Sequence, residues 1–240
     1  MSSVFDDELL ADYMSDFWGY GNPQGRYWFV GMEEGGGDSY DDIARRISQW
    51  DKRGRNSLED IYEYHMDIQV PKWFKKGAPL QSTWNKLIRV LLAAKGEEPE
   101  REAVRAYQID RLARADDEVC LLELLPLPSP STTHWLYSQH STIPELRSRE
   151  EYTRVVGEYR ATKINEMITK QQPAFVMFYG MSYLDWWKKV AGVDLVKHDF
   201  QDKAAYFGEI GGTKLAVTQH PVATGVTLEY FHSVGRYLRG

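Results

Sequence analysis

The sequence predicts an α/β protein: a three-layer α/β/α sandwich with a mainly parallel central sheet, formed by a single domain over residues 1–240. Predicted strands separated by predicted helices point to this class, because consecutive parallel strands need a crossover connection, usually a helix. An apolar fraction of 42% and an aromatic fraction of 13% indicate a folded globular chain rather than a disordered one. The chain shows neither an internal repeat nor a linker-like stretch, which favours one domain.

The first half of the chain begins with a predicted helix over residues 5–17, whose first turn carries the negative charge that a helix dipole favours. Tyr27–Gly31 reads as a short apolar strand, and residues 40–66 carry acidic, amphipathic helical pieces. The clearest helix spans residues 82–96, with Gly96 placed to end it. Its apolar residues recur at helical spacing: Trp84, Leu87, Ile88, Leu91 and Leu92.

The second half continues the same alternation of helices and strands. A predicted strand over residues 119–125 breaks into a loop rich in proline and serine. A glycine pair, Gly211–Gly212, predicts the turn of a hairpin that ends in the strand Lys214–Gln219. The other predicted elements are a helix over 100–114, a long helix through Tyr152 and Ile168, a strand within 173–180 and a helix from about Thr224 to Arg239.

The composition excludes several classes of protein. Cys120 is the only cysteine, so neither a disulfide within the chain nor a four-cysteine zinc or iron–sulfur site is possible. No apolar run approaches the roughly 20 residues that span a bilayer, and the first residues lack the pattern of a signal peptide. We therefore expect a cytoplasmic protein, without a membrane partner. The net charge of −6 argues against non-specific nucleic-acid binding but leaves a local basic surface open.

Unusual polar residues stand where three of the predicted strands end. Glu33 and Glu34 follow the first strand, Glu123 lies within the second, and His220 follows the last. Ligands of open α/β sheets bind beyond the carboxyl ends of the strands. If these strands are parallel, the three positions converge on one cleft.

Three short motifs at these strand ends resemble those of the uracil-DNA glycosylase superfamily. "GMEEG", residues 31–35, resembles the first motif, Gly-x-(Asp or Asn)-Pro-(Tyr or Gly), and is closest to the Gly-Met-Asn-Pro-Gly of the single-strand-selective branch. "ELLPL", residues 123–127, resembles the middle strand that carries a base-reading Asn, and "HPVA", residues 220–223, resembles the motif His-Pro-Ser-Pro. The resemblance covers roughly residues 20–239 and implies that superfamily's α/β/α fold.

The resemblance also implies a role for each matching residue. It implies a monofunctional DNA glycosylase that flips a base out of DNA, hydrolyses its N-glycosidic bond and leaves an abasic site. Glu33 and His220 would be catalytic, with Glu33 positioning water and His220 stabilising the departing base. Glu123, Met32 and Tyr40 would contact the base. The expected DNA contacts are Gly35, Gly36, Ser129, Ser131, Thr132 and Thr224. No metal or other cofactor is implied, and we expect a monomer that binds single- or double-stranded DNA.

Departures from the motifs point to a substrate other than uracil. Glu34 replaces the Pro of the first motif, and Glu123 replaces the base-reading Asn. An ionised carboxylate accepts hydrogen bonds without donating any, which suits the amino group of cytosine and repels O4 of uracil. The glycines after Glu34 leave room for a group on C5 of the base. Because the superfamily includes phage-defence members that remove hypermodified cytosines, a glucosylated hydroxymethylcytosine is the expected substrate type.

Each of these residues also has a structural interpretation. Glu33 and Glu34 could form a solvated turn, and His220 could be bonded to backbone at a strand end. Glu123 could pair with a buried Arg or Lys. Tyr40 and Trp135 could stack on a flipped base or simply pack in the core. A further basic and aromatic patch could meet single strands or be an ordinary turn: Lys72, Trp73, Phe74, Lys75 and Lys76.

Other functions stay open at this point. The chain could be a uracil-excising repair glycosylase, or a non-catalytic nucleic-acid-binding module with the same fold. It could also be another nucleoside-processing hydrolase that uses the two acids. A metal phosphoesterase could use Glu33, Glu34 and Asp38, although no supporting pattern of His and Asp occurs elsewhere in the sequence.

Overall fold

The computed structural model describes residues 4–240, so the first three residues of the predicted domain lie outside it. The described chain forms eight strands and nine α-helices. The strands are β1 (Gly19–Gly21), β2 (Tyr27–Glu33), β3 (Leu58–Glu59), β4 (Val119–Leu125), β5 (Phe175–Tyr179), β6 (Val196–Phe200), β7 (Lys203–Ile210) and β8 (Thr213–Thr218). The helices are α1 (Asp7–Asp16), α2 (Tyr40–Lys52), α3 (Ile61–Asp67), α4 (Ser82–Lys95), α5 (Arg101–Asp110), α6 (Tyr137–His140), α7 (Arg149–Gln171), α8 (Leu184–Ala191) and α9 (Leu228–Arg239).

The strands pair in one sheet, in the order β3-β1-β4-β2-β5-β8-β7-β6. The four central strands, β4, β2, β5 and β8, run parallel to one another. Antiparallel pairs lie outside this block, where β1 joins β4 on one side and β7 joins both β8 and β6 on the other. The predicted α/β class with a mainly parallel central sheet is therefore confirmed.

The centre of the sheet is buried on both faces. Every residue from Trp28 to Met32 in β2 is buried, and so is every residue from Val119 to Leu122 in β4. Because successive strand residues point to opposite faces, consecutive buried residues require that both faces are covered. Helices provide cover, since α7 packs against β4 and α8 against β8. Among residues 4–240, no helix is long and apolar enough to cross a bilayer.

Local sequence explains where several elements begin and end. Asp6 caps α1, since its carboxylate accepts hydrogen bonds from the amides of Glu8 and Leu9, each at 3.1 Å. Gly96 ends α4 in the left-handed conformation, with φ of 80°, as its position predicted. The hairpin turn at Gly211–Gly212 is also confirmed, because β7 and β8 pair antiparallel on either side of it.

Two predicted boundaries need correction. Strand β2 continues two residues past Gly31, so Glu33 belongs to the strand and not to the loop after it. Helix α9 begins at Leu228, where the hydroxyl of Thr227 accepts a hydrogen bond from the amide of Tyr230 and caps the helix. Thr224 therefore lies in the turn that precedes the helix.

Candidate active site

A cleft of about 610 Å³ opens at the carboxyl ends of the central parallel strands. Glu33 ends β2, Glu123 lies near the end of β4, and His220 follows β8 by two residues. All three side chains line the cleft, together with Glu34. The structure thus brings together four residues that are separated by as much as three quarters of the sequence, as expected for parallel strands that end at the same sheet edge.

The floor of the cleft is formed by Glu123 of β4 and Tyr179 of β5, which meet above Gly31 of β2. Gly31 is the direct neighbour of Glu123 in the sheet. A Cβ atom on Gly31 would lie 2.2 Å from the Tyr179 hydroxyl and 2.3 Å from Oε2 of Glu123. Glycine leaves the space that these two side chains fill, and any larger residue would displace them.

Glu123 forms one specific side-chain contact. The Tyr179 hydroxyl donates a hydrogen bond to Oε1 at 3.2 Å, while Oε2 is closed off from water and has no hydrogen-bond partner among residues 4–240. Burial raises the pKa of Glu123 to about 8, and the nearby carboxylates of Glu34 and Glu33 act in the same direction. Glu123 consequently carries its proton at neutral pH and can donate a hydrogen bond as well as accept one. The predicted acceptor-only behaviour applies above this pKa.

Glu123 could have paired with a buried Arg or Lys, but that pairing is not observed. The guanidinium of Arg160 lies close by, but it donates to the backbone carbonyls of Glu123 and Leu124, at 3.0 Å and 2.9 Å. The same guanidinium stacks 3.8 Å above the ring of Trp18. Arg160 therefore holds the backbone of β4 against α7 and leaves the carboxyl group of Glu123 to the cleft.

Glu33 is held from the other side by Arg149, the first residue of α7. Nη2 of Arg149 donates to Oε2 of Glu33, whose side chain is 10% exposed. Oε1 of Glu33 and Nη1 of Arg149 are both buried and have no hydrogen-bond partner within the described chain. Burial raises the pKa of Glu33 to about 7, against the opposing effect of the Arg149 hydrogen bond and charge. A carboxyl group with this pKa is suited to accept a proton at neutral pH.

Glu34 has a more complete set of partners. Its Oε1 accepts hydrogen bonds from the Tyr20 hydroxyl and, at 2.9 Å, from Nη1 of Arg46. Arg46 also bonds Asp42 at 3.0 Å, and its backbone carbonyl accepts from the Tyr64 hydroxyl at 3.0 Å. Burial raises the pKa of Glu34, and the Arg46 charge opposes that shift. Glu34 therefore connects β2 to α2, through Arg46, and to β1, through Tyr20.

His220 contributes a neutral imidazole. Burial lowers its pKa, which leaves the ring uncharged at neutral pH. The Val222 amide donates to Nδ1 at 3.3 Å, so the proton of the neutral ring is assigned to Nε2. The ring also packs edge-on against Tyr179, with centroids 5.8 Å apart. His220 therefore offers a hydrogen-bond donor without a positive charge.

Aromatic side chains with a lysine contribute to the lining of the cleft. Trp73 and Trp84 meet edge to face, with ring centroids 6.3 Å apart, and both contribute to the lining. The ammonium of Lys72 lies 4.6 Å from the ring centre of Trp73. Phe74 is buried instead, behind this surface, and Lys75 and Lys76 are exposed. The patch noted in the sequence is therefore divided between the cleft and the core.

The loop after β2 depends on its glycines for its conformation, and it is hydrogen-bonded to the loop after β4. Gly36 has φ of 108°, and a Cβ there would lie 2.5 Å from Nη2 of Arg46. Gly37 has φ of 74°, and a Cβ there would lie 2.4 Å from the Pro128 carbonyl oxygen. The Ser129 amide donates to the Glu34 carbonyl at 3.1 Å and joins the two loops directly. Gly35 and Gly36 line the cleft.

Other residues selected from the sequence lie outside the cleft lining. Met32 is buried in the core, and as the strand neighbour of Glu33 it points to the opposite face. The Tyr40 hydroxyl donates to the Val4 carbonyl at 2.8 Å, and its ring stacks on Phe5. Trp135 packs between Tyr137 and Tyr152.

The selected serine and threonine residues are also distributed away from the cleft. Ser129 is buried, and its hydroxyl is 2.8 Å from both the Ser131 and His134 carbonyls. Ser131, Thr132 and Thr224 are exposed. Thr132 lines a separate surface groove together with Arg149.

Burial excludes one of the structural interpretations. The side chains of Glu33 and Glu34 are 10% and 9% exposed, so they do not form a solvated turn. Although they are adjacent in the chain, the two side chains bond to different partners. The backbone interpretation of His220 is compatible with its bond from Val222, yet its ring also lines the cleft.

Sequence reasoning did not find Tyr179, Arg149 and Arg46, the partners of the three acids. Tyr179 could have been found, because it ends a predicted strand beside the one that carries Gly31. Arg149 begins a helix 116 residues beyond Glu33, and Arg46 lies in a helix 12 residues beyond Glu34. No local pattern links either arginine to its acid. In residues 4–240, no group of three or more His, Cys, Asp or Glu side chains is arranged to hold a metal ion.

Comparisons with known proteins give no family for the chain. A scan against protein-family models finds no match. A search of curated proteins likewise finds no relative. It is therefore the residues of the cleft that indicate the function.

Proposed function

We propose that the protein is a DNA glycosylase that flips a modified pyrimidine into the cleft and hydrolyses its N-glycosidic bond, leaving an abasic site. The observation that carries this proposal is the convergence of Glu33, Glu123 and His220 at the carboxyl ends of parallel strands. The motif resemblance supports the further assignment to the three-layer sandwich of the uracil-DNA glycosylase superfamily. A cytosine derivative such as glucosylated hydroxymethylcytosine is the proposed base, in a role against phage.

Glu33 acts as the general base of the reaction. Cleavage of the bond between the sugar C1′ and the base nitrogen leaves positive charge on the sugar, and the bonding electron pair departs with the base. An ionised Glu33 stabilises the sugar charge and orients a water molecule, whose oxygen bonds C1′ while its proton passes to the carboxylate. The pKa of about 7 places Glu33 in a suitable protonation equilibrium for this step.

His220 supplies the donor for the departing base. The electron pair of the broken bond creates negative charge on the base and its carbonyl oxygen. A neutral imidazole with its proton on Nε2 stabilises that charge by a hydrogen bond, and the low pKa of the ring keeps it in this form. The aromatic lining at Trp73 and Trp84 offers surfaces against which an extruded base can stack.

A uracil-type base is the second candidate substrate, and one observation favours it. A carboxyl group that keeps its proton donates a hydrogen bond, and burial raises the pKa of Glu123 to about 8. Protonated Glu123 therefore matches the carbonyl edge that a base-reading Asn recognises.

The proposed partner of the protein is DNA. DNA reaches the cleft as a single strand or as a duplex from which the target nucleotide is flipped, and the enzyme acts as a cytoplasmic monomer. The exposed Lys72 beside Trp73 suits a nucleotide neighbouring the flipped one, since a cation and an aromatic face bind phosphate and base together.

The test is a screen for released bases, followed by the Glu33→Gln and His220→Ala variants. DNAs carrying uracil, cytosine, hydroxymethylcytosine and its glucosylated form are incubated with the protein, and mass spectrometry identifies any free base. We expect Glu33→Gln to reduce single-turnover base release by roughly 100-fold or more, because it removes the proton acceptor without changing the shape of the side chain.

His220→Ala is expected to lower the same rate at saturating protein, because leaving-group stabilisation acts in the transition state. Tyr40→Phe serves as a control, since its hydroxyl bonds Val4 outside the cleft. A wild-type protein that releases no base from any of these DNAs contradicts the proposal. An unchanged single-turnover rate in Glu33→Gln removes Glu33 from the mechanism.

A further inference from the structure

The contact between Tyr179 and Glu123 leaves the two carboxyl oxygens in different situations. Oε1 accepts the Tyr179 hydroxyl at 3.2 Å, whereas Oε2 is buried above Gly31 without a hydrogen-bond partner in the described chain. A buried polar oxygen left in this way costs free energy unless a proton or a ligand satisfies it. Glu123 lines the cleft, so a turn of its carboxyl group about the oxygen that Tyr179 holds would bring Oε2 to a bound ligand.

The charges around Glu123 decide which form of the carboxyl group the cleft favours. From β2 and its following loop, Glu33 and Glu34 bring two further carboxyl groups, and the Arg46 and Arg149 guanidiniums are bonded to those acids. From α7, Arg160 faces the backbone carbonyl of Glu123. From β5 and the end of β8 come the neutral Tyr179 and His220. Glu123 therefore lies among acids, with no cation bonded to its own carboxyl group within residues 4–240.

We propose that Tyr179 is a specificity-determining residue, which holds Oε1 of Glu123 so that Oε2 contacts the edge of the bound pyrimidine and its proton selects the ligand. With a proton, Oε2 donates to an acceptor such as the 4-carbonyl of uracil or N3 of cytosine. Without it, Oε2 repels the 4-carbonyl and accepts from the 4-amino group of cytosine. The inference rests on the proposed function, because it takes the cleft to bind a pyrimidine.

The pKa of Glu123 sets the range in which this selection changes. Burial raises that pKa to about 8, and the Tyr179 hydrogen bond lowers it from what burial and the neighbouring acids would produce. At neutral pH the cleft accepts both carbonyl- and amino-edged pyrimidines. As the pH rises past 8, binding of the carbonyl edge is lost and binding of the amino edge remains.

The experiment uses the Glu33→Gln background, which slows base release and removes a second titrating carboxyl group. Carbon-13 labelled glutamate reports the titration of the Glu123 Cδ atom, assigned by its loss in Glu123→Gln. We expect a midpoint well above that of an ordinary carboxyl group, and Tyr179→Phe should move it upward, since the hydrogen bond that favours the ionised form is lost. Tyr183→Phe, on the turn after β5 and outside the cleft lining, should leave it unchanged.

The second measurement is the affinity for deoxyuridine and deoxycytidine, followed by amide chemical shifts. Loss of the Glu33 carboxylate places the Glu123 midpoint of this background below the wild-type value of about 8. Between about pH 6 and pH 9 the protonated fraction should therefore fall about tenfold or more, and deoxyuridine affinity relative to deoxycytidine should fall with it. In Glu123→Gln, which always offers a donor, the ratio should be independent of pH, apart from ionisation of the ligand itself.

Distinct results separate the two proposals. An ordinary Cδ midpoint, a midpoint that Tyr179→Phe leaves in place, or a pH-independent affinity ratio in the parent would overturn the role of Tyr179 and Glu123. Nucleoside binding with the expected pH dependence, but without base release from any DNA by the wild-type protein, would overturn the glycosylase and keep the selective pair.

Discussion

Glu33 and Glu34 are neighbours in the chain with nearly equal burial, yet their surroundings differ in kind. Glu34 gives one oxygen to both Tyr20 and Arg46, and Arg46 is in turn bonded to Asp42. Glu33 has one ionic contact, to Arg149. One carboxyl oxygen of each acid lacks a hydrogen-bond partner among the described residues, but on the Glu33 side the cation keeps an unsatisfied buried nitrogen as well. Burial alone does not distinguish these two acids, whereas the number of hydrogen bonds that each accepts does.

The largest expected effect comes from removing the cation that pairs with Glu34. Arg46→Met should cost about 3–5 kcal/mol of unfolding free energy, because it leaves a buried carboxylate without its cation. Denaturation in urea, followed by circular dichroism, measures it. Arg45→Met is the matched control, since Arg45 is 37% exposed and its loss should cost less than about 1 kcal/mol. Equal costs for the two variants would mean that the Glu34 pair does not anchor the fold.

A second effect concerns how stability depends on pH through Glu123. Its folded pKa, about 8, lies above the ordinary value of 4.5, so the folded state binds the proton more tightly than the unfolded state. The resulting stability is complete below about pH 4.5 and is lost as the pH rises to about 8. The unfolding free energy of Glu123→Gln, measured in urea, should therefore rise relative to that of wild type by a few kcal/mol between pH 5 and pH 9. A constant difference across this range would show that Glu123 titrates normally.

A smaller effect is expected on the Glu33 side. Arg149→Met should cost about 1–2 kcal/mol of stability, less than Arg46→Met, because Arg149 is 17% exposed while Arg46 is 8% exposed. The Arg149 charge lowers the pKa of Glu33, so its loss should move the midpoint of the base-release profile above pH 7. Single-turnover rates across pH measure this shift. Arg154→Met, a 67% exposed residue on the same helix, should leave the profile in place. A midpoint that moves downward would contradict the assignment of Glu33 as the base.

Much of the fold could be predicted from local sequence, and two strands that escaped prediction share a cause. β2, α4 and the hairpin carry strong apolar periodicity or a glycine turn, so their pattern sufficed. β1 is only three residues long with a glycine at each end, and it exists because it pairs with β3 and β4. β6 is an exposed edge strand of sequence VKHDF, which lacks the apolar signal of a buried strand. Tertiary pairing, which no short window contains, creates both.

The features of the cleft divide in the same way, into those that local sequence predicts and those that depend on tertiary contacts. The rule that parallel strands end at one edge predicted the meeting of Glu33, Glu123 and His220. It could not predict that Arg149, 116 residues from Glu33, would be its partner. Nor could it predict the ionisation of Glu123, because that depends on burial and on the charges of the neighbouring acids. Positions along a strand follow from sequence, but the chemical state of a side chain follows from what surrounds it.

The bond from the Ser129 amide to the Glu34 carbonyl has a consequence for any transfer of this cleft to another scaffold. It joins the loop after β2 to the loop after β4, and the close approach of Gly37 to the Pro128 carbonyl leaves little freedom for either loop to change length alone. A graft that carried the acids of β2 without the Ser129 loop would lose the register between them. The smallest transplantable unit is therefore the pair of loops together with the two strands that carry them.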